Sequence, residues 1–193
     1  MLPEEVRQQY PKTFQLTNGR PFTIRLMEPT EADKRAIFNF ARRLNENDLL
    51  YLRTDITDAA VVSEWIQNLE SGQTTSLIAE ADDQVAGYAS VHNEPARWTR
   101  CVGELRVNAG QRFRGVGLGR ALVAEAFSLG RALGLRKLYG MLTPDQHGAR
   151  TAFERLGFQV EASLHEWVQD RSGRLRDILV VTYELDGFTD QAG

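Results

Sequence analysis

Cysteine is nearly absent: the 193 residues contain one, Cys101. A single thiol excludes an internal disulfide and suits a reducing, cytoplasmic setting. Long apolar runs are missing as well. None approaches the roughly 18 residues of a membrane-spanning helix. Residues 1–12 mix acids with bases and hold no apolar core, unlike a signal peptide or an anchor. Basic blocks are lacking, and 23 Lys and Arg against 26 Asp and Glu leave a formal net charge of -3. That balance disfavours nucleic acid as a partner. No cluster of His, Cys, Asp and Glu has metal-ligand spacing, and no Ser-His-Asp order suggests a nucleophilic triad. Repeats, low-complexity tracts and linkers are absent. The whole chain is 42% hydrophobic and 25% charged, the balance of a soluble globular chain, and the length suits one domain with a sizeable core.

The most informative segment is Arg112-Phe113-Arg114-Gly115-Val116-Gly117-Leu118-Gly119-Arg120. It follows a strand-like run, 101–109, and leads into an amphipathic helix pattern, 118–133. A glycine-rich turn at a helix N-terminus is an anion site, because free backbone N–H groups and the helix dipole both face the ligand. Glycines let the backbone approach a phosphate closely. A P-loop is excluded, since no Lys-Ser or Lys-Thr pair follows the glycines. The dinucleotide fingerprint needs Gly-x-Gly-x-x-Gly, whereas here the order is Gly-x-Gly-x-Gly in mid-chain.

The other elements follow from periodicity and punctuation. Residues 22–26 alternate as a strand. Thr30 caps a helix through Asn45, with Ile37, Phe40, Ala41 and Leu44 on one face. Asp58 or Thr57 starts a helix over 59–69 that ends near Gly72. Residues 77–81 and 85–92 form a hairpin around Asp82-Asp83-Gln84. Strand 102–109 follows, then the helix whose buried face is Leu122, Ala126, Leu129 and Leu133, stopped by Gly134. After strand 138–142, Thr143-Pro144-Asp145-Gln146 has the form of a capping box with Pro at the first helical position. That helix ends at Gly157, and 158–168 and 175–185 form a last hairpin around residues 170–173. Hairpins alternating with crossovers predict an α+β fold and argue against an all-parallel sheet.

Arg-x-x-Gly-x-Gly occurs in two overlapping registers, Arg112/Gly115/Gly117 and Arg114/Gly117/Gly119. A strand and a second helix later comes Ala149-Arg150-Thr151-Ala152-Phe153-Glu154-Arg155-Leu156-Gly157-Phe158. This pair of motifs resembles the GNAT N-acetyltransferase superfamily, closely over 102–184 and elsewhere in the order of elements. The resemblance implies a mixed, mostly antiparallel sheet of about seven strands flanked by helices on both faces. It divides the chain into an extension 1–20, a catalytic domain 21–187 and a tail 188–193.

It also implies acetyl-CoA as cosubstrate, no metal, and transfer of the acetyl group to a primary amine by direct attack. The parallel strands at Val102 and Leu138 would splay at their C-terminal ends. Pantetheine would then run along Leu105, Val107, Asn108 and Ala109. The pyrophosphate would rest on the amides of Gly115, Val116, Gly117, Leu118, Gly119 and Arg120, with Arg112, Arg114 and Arg120 adding charge. Gln146, Ala149 and Phe153 would border the cofactor, although Gln146 equally suits the helix cap. Glu104 lies ten residues before Arg114, the offset of the glutamate that serves as base in related protein-lysine acetyltransferases. In an apolar strand its setting would favour proton transfer. Phe153 stands where many members have a tyrosine acid, and Met141 where some ribosomal-protein acetyltransferases have a glutamate.

The acceptor, a small-molecule amine or a protein lysine, would be chosen by residues 47–55 and 167–176. Asp48, Asp55 and Glu94 are acids that could attract a cation, and His92 and Glu94, which end a strand near Pro95, could touch it. The superfamily also allows a homodimer through the last strands. The competing reading is an acyl-CoA sensor or partner-binding module without turnover, which the missing tyrosine supports.

Overall fold

The structure is a computed structural model, and it describes residues 2–45, 48–49, 52, 54–94, 98–170 and 172–185. The tail 188–193 and residues 47, 50, 51, 53 and 171 of the expected acceptor segments lie outside the described residues.

The chain begins with a helical turn, α1 (Glu4–Arg7), and a strand, β1 (Lys12–Gln15). Next come β2 (Pro21–Leu26), α2 (Glu31–Ala41), α3 (Ala59–Glu70), β3 (Thr74–Ala81) and β4 (Gln84–His92). β5 (Val102–Ala109), a 3-10 turn (Gln111–Phe113), α4 (Leu118–Ala132), β6 (Lys137–Leu142), α5 (His147–Arg155), β7 (Gln159–Gln169) and β8 (Leu175–Glu184) complete it.

Eight strands form one sheet in the order β1-β2-β3-β4-β5-β6-β8-β7. Among the described residues only the β5–β6 pair is parallel. This is the α+β architecture predicted from sequence, with one strand more. The addition is β1, which pairs with β2 from Lys12↔Ile24 to Gln15↔Pro21. Four residues are too few to display a period. The legible signal was Asn18-Gly19, with Gly19 at φ +80, a turn residue pair between two strands.

Local chemistry sets most boundaries. The Thr30 hydroxyl accepts from the Asp33 N–H at 3.2 Å, and Asp58 accepts from the Ala60 N–H at 2.8 Å. α2 ends at Ala41 rather than at Asn45. The amides of Arg43 and Leu44 reach back only three residues, to Phe40 and Ala41, a tighter turn than the helix. Asp82 and Asp83 both have positive φ, 54° and 57°, as a two-residue hairpin turn requires. α4 stops at Gly134, where the Leu135 N–H closes on the Gly130 carbonyl at 2.9 Å. α5 starts at His147, not at Pro144. Residues 143–146 form a turn instead, with the Gln146 N–H on the Thr143 carbonyl at 3.0 Å and Gln146 outside helical geometry at φ -77, ψ 57.

Each face of the sheet carries its own core. Ile37, Phe40 and Ala41 of α2 and Val62 and Trp65 of α3 pack on Ile78, Val85 and Tyr88. Leu122, Ala126 and Leu129 of α4 pack on the opposite face against Leu77, Leu105, Leu138 and Val181. The first residues are tied to that second layer. Glu125 of α4, buried, accepts from the Tyr10 hydroxyl at 2.7 Å and from Lys12 Nζ at 2.8 Å.

The tip of the β7–β8 hairpin is organised by Asp170, whose side chain is 3% exposed. Its Oδ1 accepts from the Ser172 hydroxyl and, at 2.9 and 3.0 Å, from the amides of Ser172 and Arg174. Its Oδ2 accepts from Arg176 Nε at 2.9 Å. The Ser172 hydroxyl bond first, then the Arg174 amide and the Arg176 guanidinium, hold the carboxyl well below its ordinary value of 3.8. A depressed folded-state pKa stabilises the fold above the unfolded value and loses that contribution as the pH falls below about 4. Asp170→Asn therefore lowers the thermal midpoint at pH 7, and the gap to wild type narrows steadily below pH ~4. Melting curves across that range check it; a gap independent of pH contradicts it.

Candidate active site

β5 and β6 are register partners at three positions only: Val102↔Lys137, Gly103↔Leu138 and Glu104↔Tyr139. Past that rung each strand follows its other neighbour. Leu105 to Ala109 stay paired with β4, from Val91↔Leu105 to Gly87↔Ala109. Gly140 to Leu142 stay paired with β8. The inner edges of both strands are thus open to an extended guest, the splay expected at the C-terminal ends.

The glycine-rich loop stands at the mouth. Phe113 is 5% exposed and anchors the 3-10 turn in the core. Gly115 and Gly117 have φ of +72 and +96, conformations that L side chains rarely adopt. Gly117 is the residue before α4. A Cβ at Gly115 or Gly119 would meet nothing within 4 Å, so the surface over the loop is clear. The Ala121 N–H makes the first bond of the helix, to the Gly117 carbonyl at 3.1 Å. The amides of Gly115, Val116, Gly117, Leu118, Gly119 and Arg120 donate to no other described backbone group. The loop is held from behind, where the Thr17 N–H donates to the Val116 carbonyl at 3.0 Å. Backbone donors, clear space and a helix N-terminus together make an anion cradle.

The three arginines are not equivalent. All are exposed. Arg114 turns back on the protein, its Nε donating to the Ala109 carbonyl at 3.0 Å and its Nη2 meeting Asp48 Oδ1 at 2.8 Å. Arg112 and Arg120 form no ion pair with a described residue. Asp48, expected as bait for a cationic acceptor, instead links the α2–α3 connection to the loop.

Glu104 occupies the last rung before the opening and is 8% exposed at its side chain. Its surroundings differ from the apolar strand expected. Arg106, two residues on and so on the same face, donates from Nε to Oε1 at 3.1 Å and from Nη2 to Oε2 at 3.0 Å. Strand alternation was the signal that could have exposed this partner. Burial pushes the neighbouring Tyr88 phenol up to about 12, and the Arg106 guanidinium opposes that rise.

Leu105 is buried, while Val107, Asn108 and Ala109 are half-buried along the open edge. Phe153 lies on the far wall. Its ring carbons are 3.3 Å from the Cβ position of Gly140, the first β6 residue past the rung. Ala149, one helical turn earlier, shares that side of α5. The Gln146 Oε1 accepts from the Thr143 N–H at 2.9 Å, a bond inside the turn that precedes α5.

On the α3 side of the rung lies a cavity of about 300 Å³, lined among others by Asn68, Thr74, His92, Glu94, Glu104 and Tyr139. Thr74, His92, Glu104 and Tyr139 are successive register partners across β3, β4, β5 and β6. The His92 ring is held between the Thr74 and Ser90 hydroxyls, at 2.9 and 2.8 Å. Thr74 and Tyr139 are site residues that no local motif reveals, because only the register places them there. A second cavity, about 340 Å³, is lined by Gly72, Arg100, Cys101 and Gly134 among others and holds none of the predicted site residues. Among the described residues, no group of three or more His, Cys, Asp or Glu could hold a metal ion, and no helix is long and apolar enough to cross a membrane.

Comparison with known proteins gives a consistent result. A profile of the acetyltransferase (GNAT) family matches residues 38–158. No curated protein matches the chain. Among solved structures, yncA of Salmonella typhimurium, determined with its cofactor acetyl-CoA, is 23% identical with a TM-score of 0.73. The match covers 86% of this chain and 95% of that one. The ribosomal-protein-alanine N-acetyltransferase of Brucella melitensis is 26% identical with a TM-score of 0.71, over 82% and 98% of the two chains. The GNAT domain of S. lividans PAT is 13% identical with a TM-score of 0.76, over 95% and 99%.

Removing one partner of a largely buried ion pair strands the other charge. Arg106→Met should therefore cost about 2 kcal/mol, between the surface and fully buried limits. The double substitution Glu104→Gln/Arg106→Met should recover part of that loss. Denaturant unfolding of the four proteins tests this, and additive losses contradict it.

Proposed function

Because the chain belongs to the GNAT acetyltransferase family, we propose that it transfers the acetyl group of acetyl-CoA to a primary amine by direct attack. The observation that carries this reading is the parting of β5 and β6 after the Glu104–Tyr139 rung, with the loop of free amides at its mouth and a polar cavity at its apex. Pantetheine adds to the open edge of β5 along Leu105, Val107, Asn108 and Ala109, using backbone groups as a guest strand does. The diphosphate lies on the amides of Gly115 to Arg120, and Arg112 and Arg120 bring charge from the rim. Gln146, Ala149 and Phe153 border the same arm from α5.

The thioester then reaches the rung, where the amine enters from the cavity. Glu104, held by Arg106, takes the proton from the amine as general base. A backbone N–H on the open edge near Val107 stabilises the developing oxyanion. The acids of the cavity and the family as a whole favour a cationic amine. The choice between a small molecule and a protein lysine belongs to the acceptor experiment. Binding of acyl-CoA without turnover is the second reading, and Phe153 favours it, since its ring has no proton to donate.

The test is thiol release from acetyl-CoA over a panel of small amines and lysine peptides, beside thermal shift with CoA. Acetyl-CoA stabilises the wild type and one class of amine accelerates thiol release. Gly119→Glu puts a carboxylate over the loop and removes the stabilisation. Glu104→Gln keeps it and lowers turnover about 100-fold, the ordinary contribution of a general base. Stabilisation with no turnover on any acceptor establishes the second reading, and no stabilisation by CoA removes both.

A further inference from the structure

With Phe153 in place of a tyrosine, α5 itself carries no phenol. The strand register supplies one. The last β5–β6 rung joins Glu104 to Tyr139. Neighbouring strands lie about 4.8 Å apart, and register partners project from the same face. Gly140, the next residue of β6, faces the Phe153 ring, so alternation turns Tyr139 toward the face away from α5. Tyr139 and Glu104 both line the cavity at the apex of the opening. Tyr139 is its only phenol among the described lining residues.

We propose that Tyr139 is the catalytic acid, giving its phenolic proton to the thiolate of coenzyme A as Glu104 accepts the proton of the amine. The inference rests on the acetyltransferase reading above. The neutral amine forms a bond to the thioester carbonyl carbon, and the carbon–sulfur bond breaks as the tetrahedral intermediate collapses. The nitrogen loses a proton to the Glu104 carboxylate, and the sulfur gains one from Tyr139. The products are the acetamide and the free thiol. An amine that arrives as its cation sheds one proton to solvent before it attacks; Glu104, protonated in the transfer itself, then returns its proton to the Tyr139 phenolate beside it, and both groups are reset. Side-by-side placement on one rung is what makes that return short. Among the described residues, His92 and Glu94 of the cavity and Arg106, two residues along β5 from Glu104, are titratable groups near these two.

The experiment uses the full chain with an amine selected by the panel. Thiol release by the wild type establishes the underlying reading first; its absence counts against that reading and not against Tyr139. In Tyr139→Phe, kcat should fall about 100-fold, with acetyl-CoA stabilisation and both KM values changed by less than about twofold. Replacing Tyr139 by 3-fluorotyrosine, nearly the same in shape and more acidic, should restore kcat and move the alkaline limb of the pH–rate profile to lower pH. An unchanged kcat in Tyr139→Phe overturns the proposal. So does a fluorotyrosine enzyme whose alkaline limb stays where the wild type has it.

Discussion

The separation of β5 from β6 is the constraint on which the rest of the structure depends. Strands in the middle of a sheet ordinarily pair along their whole length, since unpaired backbone donors and acceptors away from water are costly. Here the ladder stops after three rungs, although β5 has eight residues and β6 six. Each strand is drawn along by a longer antiparallel partnership, β5 with β4 over six positions and β6 with β8 over six. The Phe153 ring against Gly140 holds the β6 wall. The opening is therefore part of the sheet's construction, and its edges invite a guest that hydrogen-bonds as a strand does.

The surroundings answer to that opening at both ends. At the mouth, Phe113 fixes the turn, Gly115 and Gly117 take positive φ, and α4 begins there. The bond from the Thr17 amide to the Val116 carbonyl ties the loop to the first hairpin, which Tyr10, Lys12 and Glu125 secure to α4. Residues ahead of β2 thus support the loop. At the apex, the rank Thr74–His92–Glu104–Tyr139 crosses four strands and faces the α3 layer. The loop at the mouth and the cavity at the apex thus lie at opposite ends of the opening.

Much of this was legible in the residues. The buried faces of α2 and α4, the caps at Thr30 and Asp58 and the stops at Gly134 and Gly157 each depend on chemistry within a few positions. So does the anion loop, since two glycines with positive φ before an amphipathic helix form a local motif. The departures have local causes as well. β1 was too short to show a period, α2 closed early in a tighter turn, and Gln146 closed a turn instead of opening a helix. Arg106 was overlooked because a strand glutamate was read without its same-face neighbour.

By itself the sequence determined most of the elements and their order, the glycine-rich loop and the family, because propensity, capping and glycine geometry act over short stretches of chain. Tertiary structure alone decided which side chains share the cavity at the apex. Tyr139 stands 35 positions from Glu104 in the chain (139 - 104 = 35) yet is its partner on one rung. Asp48 reaches Arg114 from a different layer. Such meetings are set by strand register and packing, which sum weak contacts over the whole sheet, and no window of neighbouring residues contains that sum.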